Sequence, residues 1–252
     1  MTGLSLTVVG CSGSMPGPES PASCYLVEYD GFQLVLDLGS GALGALQRHV
    51  GLDVVGAVLL SHLHPDHWID LCPYFVARSY DPRGPFLPLD VHGPAATADA
   101  LVAAYGPDRK VEDLAAAFTF HALGPGPLQL GPLSITAVRT AHPVECWAVR
   151  IEAGGRVLAY TADTGPSAAV TRLARGADLL LAEAAFLDGA VNPPGLHLTG
   201  RQAGEMAREA QVDRLLVTHV PPWHDPEVAL AEAVKVFGVR AELARAGARY
   251  AV

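Results

Sequence analysis

The chain reads Ser61-His62-Leu63-His64-Pro65-Asp66-His67 immediately after an apolar run at residues 57–60. Four potential metal ligands thus fall within six consecutive positions. A strand that passes through a tight turn into a helix can direct the His-x-His pair to one side and the Asp-His pair to the other, which is the arrangement of a two-metal site. Isolated histidines are more often structural, but this pattern at a strand end predicts metal binding rather than a histidine-rich surface turn.

Three further candidate ligands occupy similar positions. His142, Asp163 and His219 each come just after an apolar, strand-like run, so they can converge with the first four at one edge of a sheet. Seven ligands, one of them a shared carboxylate, are about what two ions need while leaving room for substrate. The other histidines lack this setting, and we expect structural or surface roles for His49, His92, His121 and His224.

Short apolar runs bounded by Gly, Pro or Asp alternate with helical patterns along the chain. The predicted strands are residues 4–9, 24–29, 33–36, 57–60, 135–139, 147–151, 157–160, 179–181 and 215–218. The predicted helices are residues 42–48, 95–105, 167–175, 199–210 and 226–236. Asp30-Gly31 and Gly154-Gly155 tolerate the positive φ of tight turns and predict two hairpins. Hairpins mixed with strand–helix alternation predict an α/β fold of two mixed β-sheets covered by helices.

Length and composition are those of an ordinary globular protein. Of 252 residues, 50% are hydrophobic and 17% are charged, which excludes disorder, collagen and a coiled coil. The Pro/Gly-rich stretches 81–88 and 124–132 are too short to be linkers, so we expect one domain over residues 1–252.

The cysteines lie far apart without a Cys-x-x-Cys pair, so neither a disulfide framework nor a thiolate zinc site is predicted. They are Cys11, Cys24, Cys72 and Cys146.

The charge balance argues against a large nucleic-acid interface. Seventeen basic residues, with Lys110 and Lys235 as the only lysines, oppose 26 acidic ones and give a net charge of −9. A broad basic surface for a phosphate backbone is therefore not expected.

The first residues lack the basic and apolar regions of a signal peptide, and no window is apolar for long enough to span a bilayer. We expect no membrane association and a cytoplasmic location.

The His-x-His-x-Asp-His pattern with its three later ligands resembles the metallo-β-lactamase superfamily over essentially the whole chain. The resemblance implies a four-layer αββα sandwich of two mixed β-sheets with a binuclear site at one edge. By position, it assigns one ion to His62, His64 and His142, the other to Asp66, His67 and His219, and the bridge to Asp163. The implied cofactors are two divalent metal ions, with Zn²⁺ expected and Mn²⁺ or Fe²⁺ compatible with the same ligands.

Asp37, in Leu-Asp-Leu-Gly, matches an early structural aspartate of the superfamily. The resemblance implies that its carboxylate holds the metal-binding loop in place without touching the ions. A carboxylate that merely caps its own loop is the alternative.

Two later segments favour the phosphodiesterase branch that includes ribonuclease Z. The segment Leu-Ala-Glu-Ala-Ala-Phe around Glu183 is similar to the His-Glu-Ala-Thr-Phe motif of ribonuclease Z, although Ala182 replaces its histidine. His-Leu-Thr, beginning at His197, is similar to its His-Ser-Thr. The resemblance implies that Glu183 and His197 act with Asp66 in catalysis, His197 protonating the leaving group. A solvent-exposed strand-end carboxylate and a turn residue before a helix are the structural alternatives.

The surroundings of the third histidine narrow the substrate class. His142 lies in Thr-Ala-His-Pro-Val, unlike the Gly-His-Thr-x-Gly turn of thioester and lactam hydrolases. Ribonuclease Z inserts a tRNA-gripping arm before its bridging aspartate, but here only residues 143–162 separate His142 from Asp163, enough for a hairpin. The segments at residues 11–14, 20–23, 197–200 and 218–223 together look like a compact bacterial subgroup of this superfamily with cyclic-nucleotide phosphodiesterase members.

The sequence therefore predicts a binuclear metal-dependent phosphodiesterase that hydrolyses small phosphodiesters, with 3′,5′-cyclic nucleotides favoured. The alternatives are a ribonuclease Z-like tRNA 3′-processing endonuclease or RNase, and a non-enzymatic scaffold of the same fold. A homodimer is expected, because dimers are common in this branch. Three tryptophans near ligands are candidates for base stacking or for packing: Trp68, Trp147 and Trp223.

Overall fold

The computed structural model describes residues 3–106 and 108–252. Within these ranges, two seven-stranded β-sheets pack face to face and helices cover their outer faces. The strands are β1 (Ser5–Gly10), β2 (Cys24–Tyr29), β3 (Phe32–Leu36), β4 (Ala57–Leu59), β5 (Leu89–Gly93), β6 (Phe118–Ala122), β7 (Gly126–Leu130), β8 (Leu133–Arg139), β9 (Trp147–Ala153), β10 (Arg156–Tyr160), β11 (Leu179–Glu183), β12 (Arg214–Thr218), β13 (Ala241–Leu243) and β14 (Arg249–Ala251). The helices are α1 (Ala42–Leu46), α2 (Pro65–Trp68), α3 (Leu71–Tyr80), α4 (Thr97–Tyr105), α5 (Ala168–Leu173), α6 (Gly200–Glu209) and α7 (Pro226–Phe237). The predicted αββα sandwich is confirmed.

Each sheet combines antiparallel hairpins with parallel strands. One sheet has the order β14-β1-β2-β3-β4-β5-β6, and the other has the order β13-β12-β11-β10-β9-β8-β7. The hairpins β2–β3 and β9–β10 turn at Asp30-Gly31 and Gly154-Gly155, where φ is positive at all four residues, as predicted. Strands β3 to β6 run parallel to one another, as do β10 to β13. The carboxyl ends of the parallel strands of each sheet therefore meet at one edge.

The central strands are buried on both faces. Leu34 and Leu36 of β3 lie in the core between the sheets, whereas Val35 packs in the core shared with helices α1 and α3. A strand buried on both sides reads as a continuous apolar run rather than as an alternating one. The hydrophobic cores thus hold each central strand in a fixed position up to the residue at which its loop begins.

Three strands end in strained turns at the ligand-bearing edge. Asp37 after β3, Ala162 after β10 and His219 after β12 have φ values of 56°, 50° and 57°. Residues other than glycine rarely adopt this left-handed conformation, and it persists where the surrounding structure imposes it. Each strand therefore turns sharply where the candidate site begins.

Helix α3 and the strands β5, β6, β7, β13 and β14 lie outside the elements predicted from the sequence. The predicted helix at 95–105 begins two residues later, at Thr97. Among the residues described, no helix is long and apolar enough to cross a membrane.

Candidate metal centre

Three imidazoles converge on a point that we name site 1. His62 and His64 come from the loop after β4, and His142 comes from the loop after β8 in the other sheet. The Nδ1 atom of His64 lies 3.1 Å from His62 Nε2 and 3.2 Å from His142 Nε2. His62 is fully buried, whereas His64 and His142 are half-buried. Site 1 is therefore enclosed by protein at His62 and accessible to solvent at His64 and His142.

Asp66, His67 and His219 form a second cluster, site 2. The Nε2 atoms of His67 and His219 are 3.1 Å apart. Oδ2 of Asp66 lies 3.1 Å from His219 Nε2 and 3.4 Å from His67 Nε2. Asp66 and His67 belong to the short helix α2, while His219 follows β12. Like site 1, site 2 takes ligands from both sheets.

Asp163 lies between the two clusters. Its Oδ2 is 3.6 Å from His62 Nε2 in site 1, while its Oδ1 is 3.3 Å from His67 Nε2 and 3.6 Å from His219 Nε2 in site 2. Oδ1 is buried, yet it makes no hydrogen bond with any described residue. An ionised oxygen buried without a donor is costly unless a cation faces it. The structure thus brings all seven predicted ligands together around two points.

The hydrogen bonds of the site 1 histidines fix which ring nitrogen faces the cluster. Ser61 Oγ donates to Asp37 Oδ2, so it accepts from His62 Nδ1 at 3.0 Å. His142 Nδ1 donates to the carbonyl oxygen of Leu196 at 3.0 Å. Burial lowers the pKa of both imidazoles, which favours their neutral form. Their Nε2 lone pairs are therefore available, and three imidazole nitrogens with a carboxylate oxygen suit Zn²⁺ or a similar ion.

Asp37 is a buried carboxylate beneath the site. Its Oδ2 accepts hydrogen bonds from His67 Nδ1 at 2.8 Å, Ser61 Oγ at 2.9 Å and the hydroxyl of Tyr160 at 2.7 Å, and its Oδ1 accepts from Ser61 N. The bond to His67 directs the Nε2 atom of that ring into site 2, which is the supporting role that the resemblance implies. The contributions of Ser61 and Tyr160 were not predicted.

Charge in site 2 is shared between carboxylates and histidines. Burial opposes ionisation, but His219 and His67 lower the pKa of both Asp66 and Asp163 well below the usual range. Burial likewise opposes a charge on His67, but Asp163 and Asp37 raise the pKa of its imidazole well above the ordinary value. A cation held by Asp66, His67 and His219 would take the place of a proton on His67, so its binding would be coupled to proton release.

A histidine–carboxylate pair lies beside the two clusters. His197 Nδ1 is 2.9 Å from Glu183 Oε1 and 3.8 Å from Asp163 Oδ2. Glu183 is buried at the end of β11 and accepts backbone hydrogen bonds from Thr164 N and Ala185 N. Burial opposes a charge on His197, but the hydrogen bond and charge of Glu183 raise the pKa of its imidazole. Glu183 is therefore a buried partner of His197 and not a solvent-exposed carboxylate.

Two glycines allow backbone segments to approach the ligands closely. A Cβ atom at Gly39 would clash with the carbonyl oxygen of Asp66, and one at Gly13 would clash with the carbonyl oxygen of His219. Gly13 lies in the loop that follows β1 and donates its N–H to the carbonyl oxygen of Val220 at 3.1 Å. This loop thus supports the backbone on both sides of His219.

The three tryptophans differ in exposure. Trp68 and Trp147 are each 5% exposed, and their indole N–H groups donate to Leu63 O and Glu145 Oε1. Trp223 is 62% exposed. Trp68 and Trp147 are packing residues, and the base-stacking interpretation is wrong for them because no ring face is open.

The fold and the donor set together define a metal-dependent hydrolase. A model of the beta-lactamase superfamily domain matches residues 35–220. The chain is 44% identical over 236 residues to the uncharacterized protein Rv1339 of Mycobacterium tuberculosis, covering 92% of this chain and 86% of that protein. It is 32% identical over 250 residues to the probable metallo-hydrolase YhfI of Bacillus subtilis, covering 97% of this chain and 98% of that protein. The chain belongs to the beta-lactamase superfamily.

Other similarities concern a ribonuclease and three solved structures. The chain is 28% identical over 273 residues to ribonuclease Z of Methanopyrus kandleri, covering 94% of each. The crystal structure of YhfI matches with a TM-score of 0.87 and 30% identity over 98% of this chain and 99% of that one. Two structures share the fold at lower identity. A diphosphatase from the PhnP family matches with a TM-score of 0.78 and 18% identity over 99% of this chain and 98% of that one. Unliganded yeast PDE1 matches with a TM-score of 0.71 and 13% identity over 100% of each chain.

Proposed function

We propose that this hydrolase is a binuclear phosphodiesterase that cleaves small phosphodiesters, with 3′,5′-cyclic nucleotides as the substrate class. The observation that carries the proposal is Asp163, whose two carboxylate oxygens face site 1 and site 2 separately. When bound, two divalent ions supply Lewis-acid activation of a phosphodiester and a nucleophile at neutral pH. We expect Zn²⁺, since histidine nitrogens and carboxylate oxygens at this ligand number suit it.

His197 is positioned to protonate the departing oxygen. Its Nδ1 is held by Glu183, so its Nε2 remains free for a substrate atom. Its ring lies 5.6 Å from the ring of His142 in site 1 and 5.8 Å from that of His219 in site 2. Phe186 packs edge-on against it at 5.0 Å and fixes its orientation. A held imidazole beside both clusters suits a general acid.

Charge and topology support a small substrate. The β9–β10 hairpin and short loops account for residues 143–162, so this stretch holds no extension that could contact tRNA. The basic residues in this stretch already have partners, because Arg150 lies 2.8 Å from Glu152 and Arg156 lies 2.6 Å from Asp178. Contacts to a polynucleotide backbone require free cationic side chains, and these two are engaged within the chain.

Trp223 supports a nucleotide as the organic part of the substrate. Its exposed ring follows His219 on the loop leaving site 2. An exposed aromatic ring on a loop that leaves such a centre can stack a base, and such stacking tolerates any base.

A ribonuclease Z-like activity is the second candidate. It is favoured by the His197–Glu183 pair and by the similarity to the ribonuclease Z of M. kandleri. It would have to recognise tRNA without an arm and with a net charge of −9. A cyclic mononucleotide requires only one phosphodiester at the centre and one base against its wall.

The test is a substrate panel for protein reconstituted separately with Zn²⁺, Mn²⁺ and Fe²⁺. The panel contains cyclic AMP, cyclic GMP, bis(p-nitrophenyl) phosphate and a precursor tRNA. We expect turnover of a cyclic nucleotide that requires metal, with a kcat/KM that varies weakly with salt because few phosphate contacts form. Efficient cleavage of precursor tRNA at its 3′ junction, with no turnover of either cyclic nucleotide, would favour the second candidate.

A further inference from the structure

Two buried tyrosines lie directly beneath the metal centre, in the core between the sheets. Tyr25 is on β2 of the first sheet, and Tyr160 is on β10 of the second. They are 0% and 3% exposed, and their ring centroids are 5.3 Å apart with the planes tilted by 58°. The rings are thus in contact across the gap between the sheets.

Each tyrosine hydroxyl makes a hydrogen bond to the opposite sheet. Tyr25 Oη lies 2.7 Å from Oγ1 of Thr218, the last residue of β12. Tyr160 Oη donates to Oδ2 of Asp37, at the end of β3, also at 2.7 Å. The two hydrogen bonds therefore cross the gap in opposite directions, one from each sheet. Burial raises the pKa of both phenols, so both hydroxyls stay protonated.

Both hydrogen bonds end next to a ligand of site 2. Asp37 holds His67 through its Nδ1 atom at 2.8 Å. Thr218 immediately precedes His219, whose backbone is in the left-handed conformation. Since His67 and His219 come from different sheets, the separation of their Nε2 atoms depends on how far apart the sheets stand at this edge.

We infer that Tyr25 and Tyr160 are a positioning pair, which sets the spacing of the two sheets beneath site 2 and so the geometry of its ion. The inference rests on the proposed two-ion centre. Neither tyrosine is a ligand or a substrate contact, and each acts through the residue to which it is hydrogen-bonded. Removing either hydroxyl leaves the ring and its packing in place but frees one crossing contact.

Tyr74 provides a matched control. It is fully buried, and its hydroxyl donates to the carbonyl oxygen of Leu52 at 2.7 Å, away from both clusters. Tyr74→Phe thus removes a hydrogen bond of equal length from a buried residue of the same type. A purely structural effect of losing such a bond would appear equally in this variant.

The experiment measures stepwise metal affinity in Tyr25→Phe, Tyr160→Phe, Tyr74→Phe and the unaltered chain. Demetallated protein is titrated with Zn²⁺ against a chromophoric chelator, and with Co²⁺ while the visible absorption bands are recorded. Urea unfolding of the demetallated proteins gives their relative stability. We expect Tyr160→Phe and Tyr25→Phe to raise one dissociation constant by about 10- to 100-fold, the usual effect of losing a residue that orients a ligand. We also expect them to shift the Co²⁺ bands, while Tyr74→Phe changes neither.

Unchanged metal affinity and unchanged Co²⁺ bands in both variants would overturn the positioning pair, as would equal losses in Tyr74→Phe. If Tyr160→Phe does not fold, Thr218→Val removes the Tyr25 hydrogen bond from its other end and should reproduce Tyr25→Phe. An unaltered chain that binds a single ion would contradict the two-ion proposal, and the same variants would still test the pair on that ion.

Discussion

The Nδ1 atom of His197 lies 2.9 Å from Oε1 of Glu183, a carboxylate that is only 1% exposed. Glu183 is held by backbone hydrogen bonds from Thr164 and Ala185, and it keeps His197 beside the clusters, with His197 Nδ1 3.8 Å from Asp163 Oδ2. Because His197 is not one of the seven proposed ligands, its replacement and the metal content of the variant can be tested separately.

Replacing His197 with Ala should lower kcat by about 10²–10⁴-fold, the range of a lost general acid. Metal content should remain that of the unaltered chain. The loss should be smaller for bis(p-nitrophenyl) phosphate than for a cyclic nucleotide, because p-nitrophenolate leaves without protonation. His49→Ala, at an exposed histidine, is the control. Equal losses on both substrates would show that His197 does not protonate the leaving group.

Elemental analysis should find two divalent ions per chain, and Asp163→Ala should reduce this number and abolish most activity. The reason is that each oxygen of Asp163 faces a different cluster. Asp99→Ala, at an exposed carboxylate on α4, should retain both ions. An Asp163→Ala protein with two ions and full activity would contradict the bridging role.

Trp223→Ala should weaken binding of a cyclic nucleotide by about 1–3 kcal/mol, the range measured for base stacking. The effect should appear mainly in KM, and KM for bis(p-nitrophenyl) phosphate should change less because that substrate has no base. Tyr80→Ala removes another exposed aromatic ring, on α3, and should have no effect on either substrate. Equal rises in KM for both substrates would argue against stacking.

Gly39→Ala should destabilise the protein and lower its metal affinity, since a Cβ there would push against the backbone of Asp66. Gly44→Ala is the matched control, because it lies within helix α1 with open space around it. Alanine is favoured over glycine in a helix by about 1 kcal/mol, so this variant should be neutral or more stable. Urea unfolding with and without metal measures both effects, and equal behaviour of the two variants would refute the close-approach argument.

The fold was predictable where strands are buried on both faces, and less so in the outer strands of each sheet. Strand β7 begins with Gly126-Pro127, and β5 carries the exposed Asp90, so neither reads as an apolar run. Helix α3 contains Pro73, and a proline in a sequence is usually taken as a sign that no helix continues through it. Proline is tolerated in a first helical turn because the N–H groups there have no partner within the helix.

The clustering of the seven candidate ligands was predictable because each follows an apolar run along the chain. The roles of Ser61 and Tyr160 were not, because both depend on which residues of the two sheets face each other. The burial of Trp68 and Trp147 is likewise set by packing and cannot be read from their proximity to ligands in the sequence. The homodimer, the cytoplasmic location, and the number and identity of the ions stay predictions.

Both clusters combine residues from early and late parts of the chain, and this affects when a nascent polypeptide can take up metal. Site 1 needs His142 in addition to the first motif, and site 2 needs His219. On the ribosome the amino-terminal part emerges and folds first. Site 2 therefore cannot form until β12 has left the exit tunnel and docked against its sheet, and a truncated product ending before that strand would lack one of the ligands of site 2.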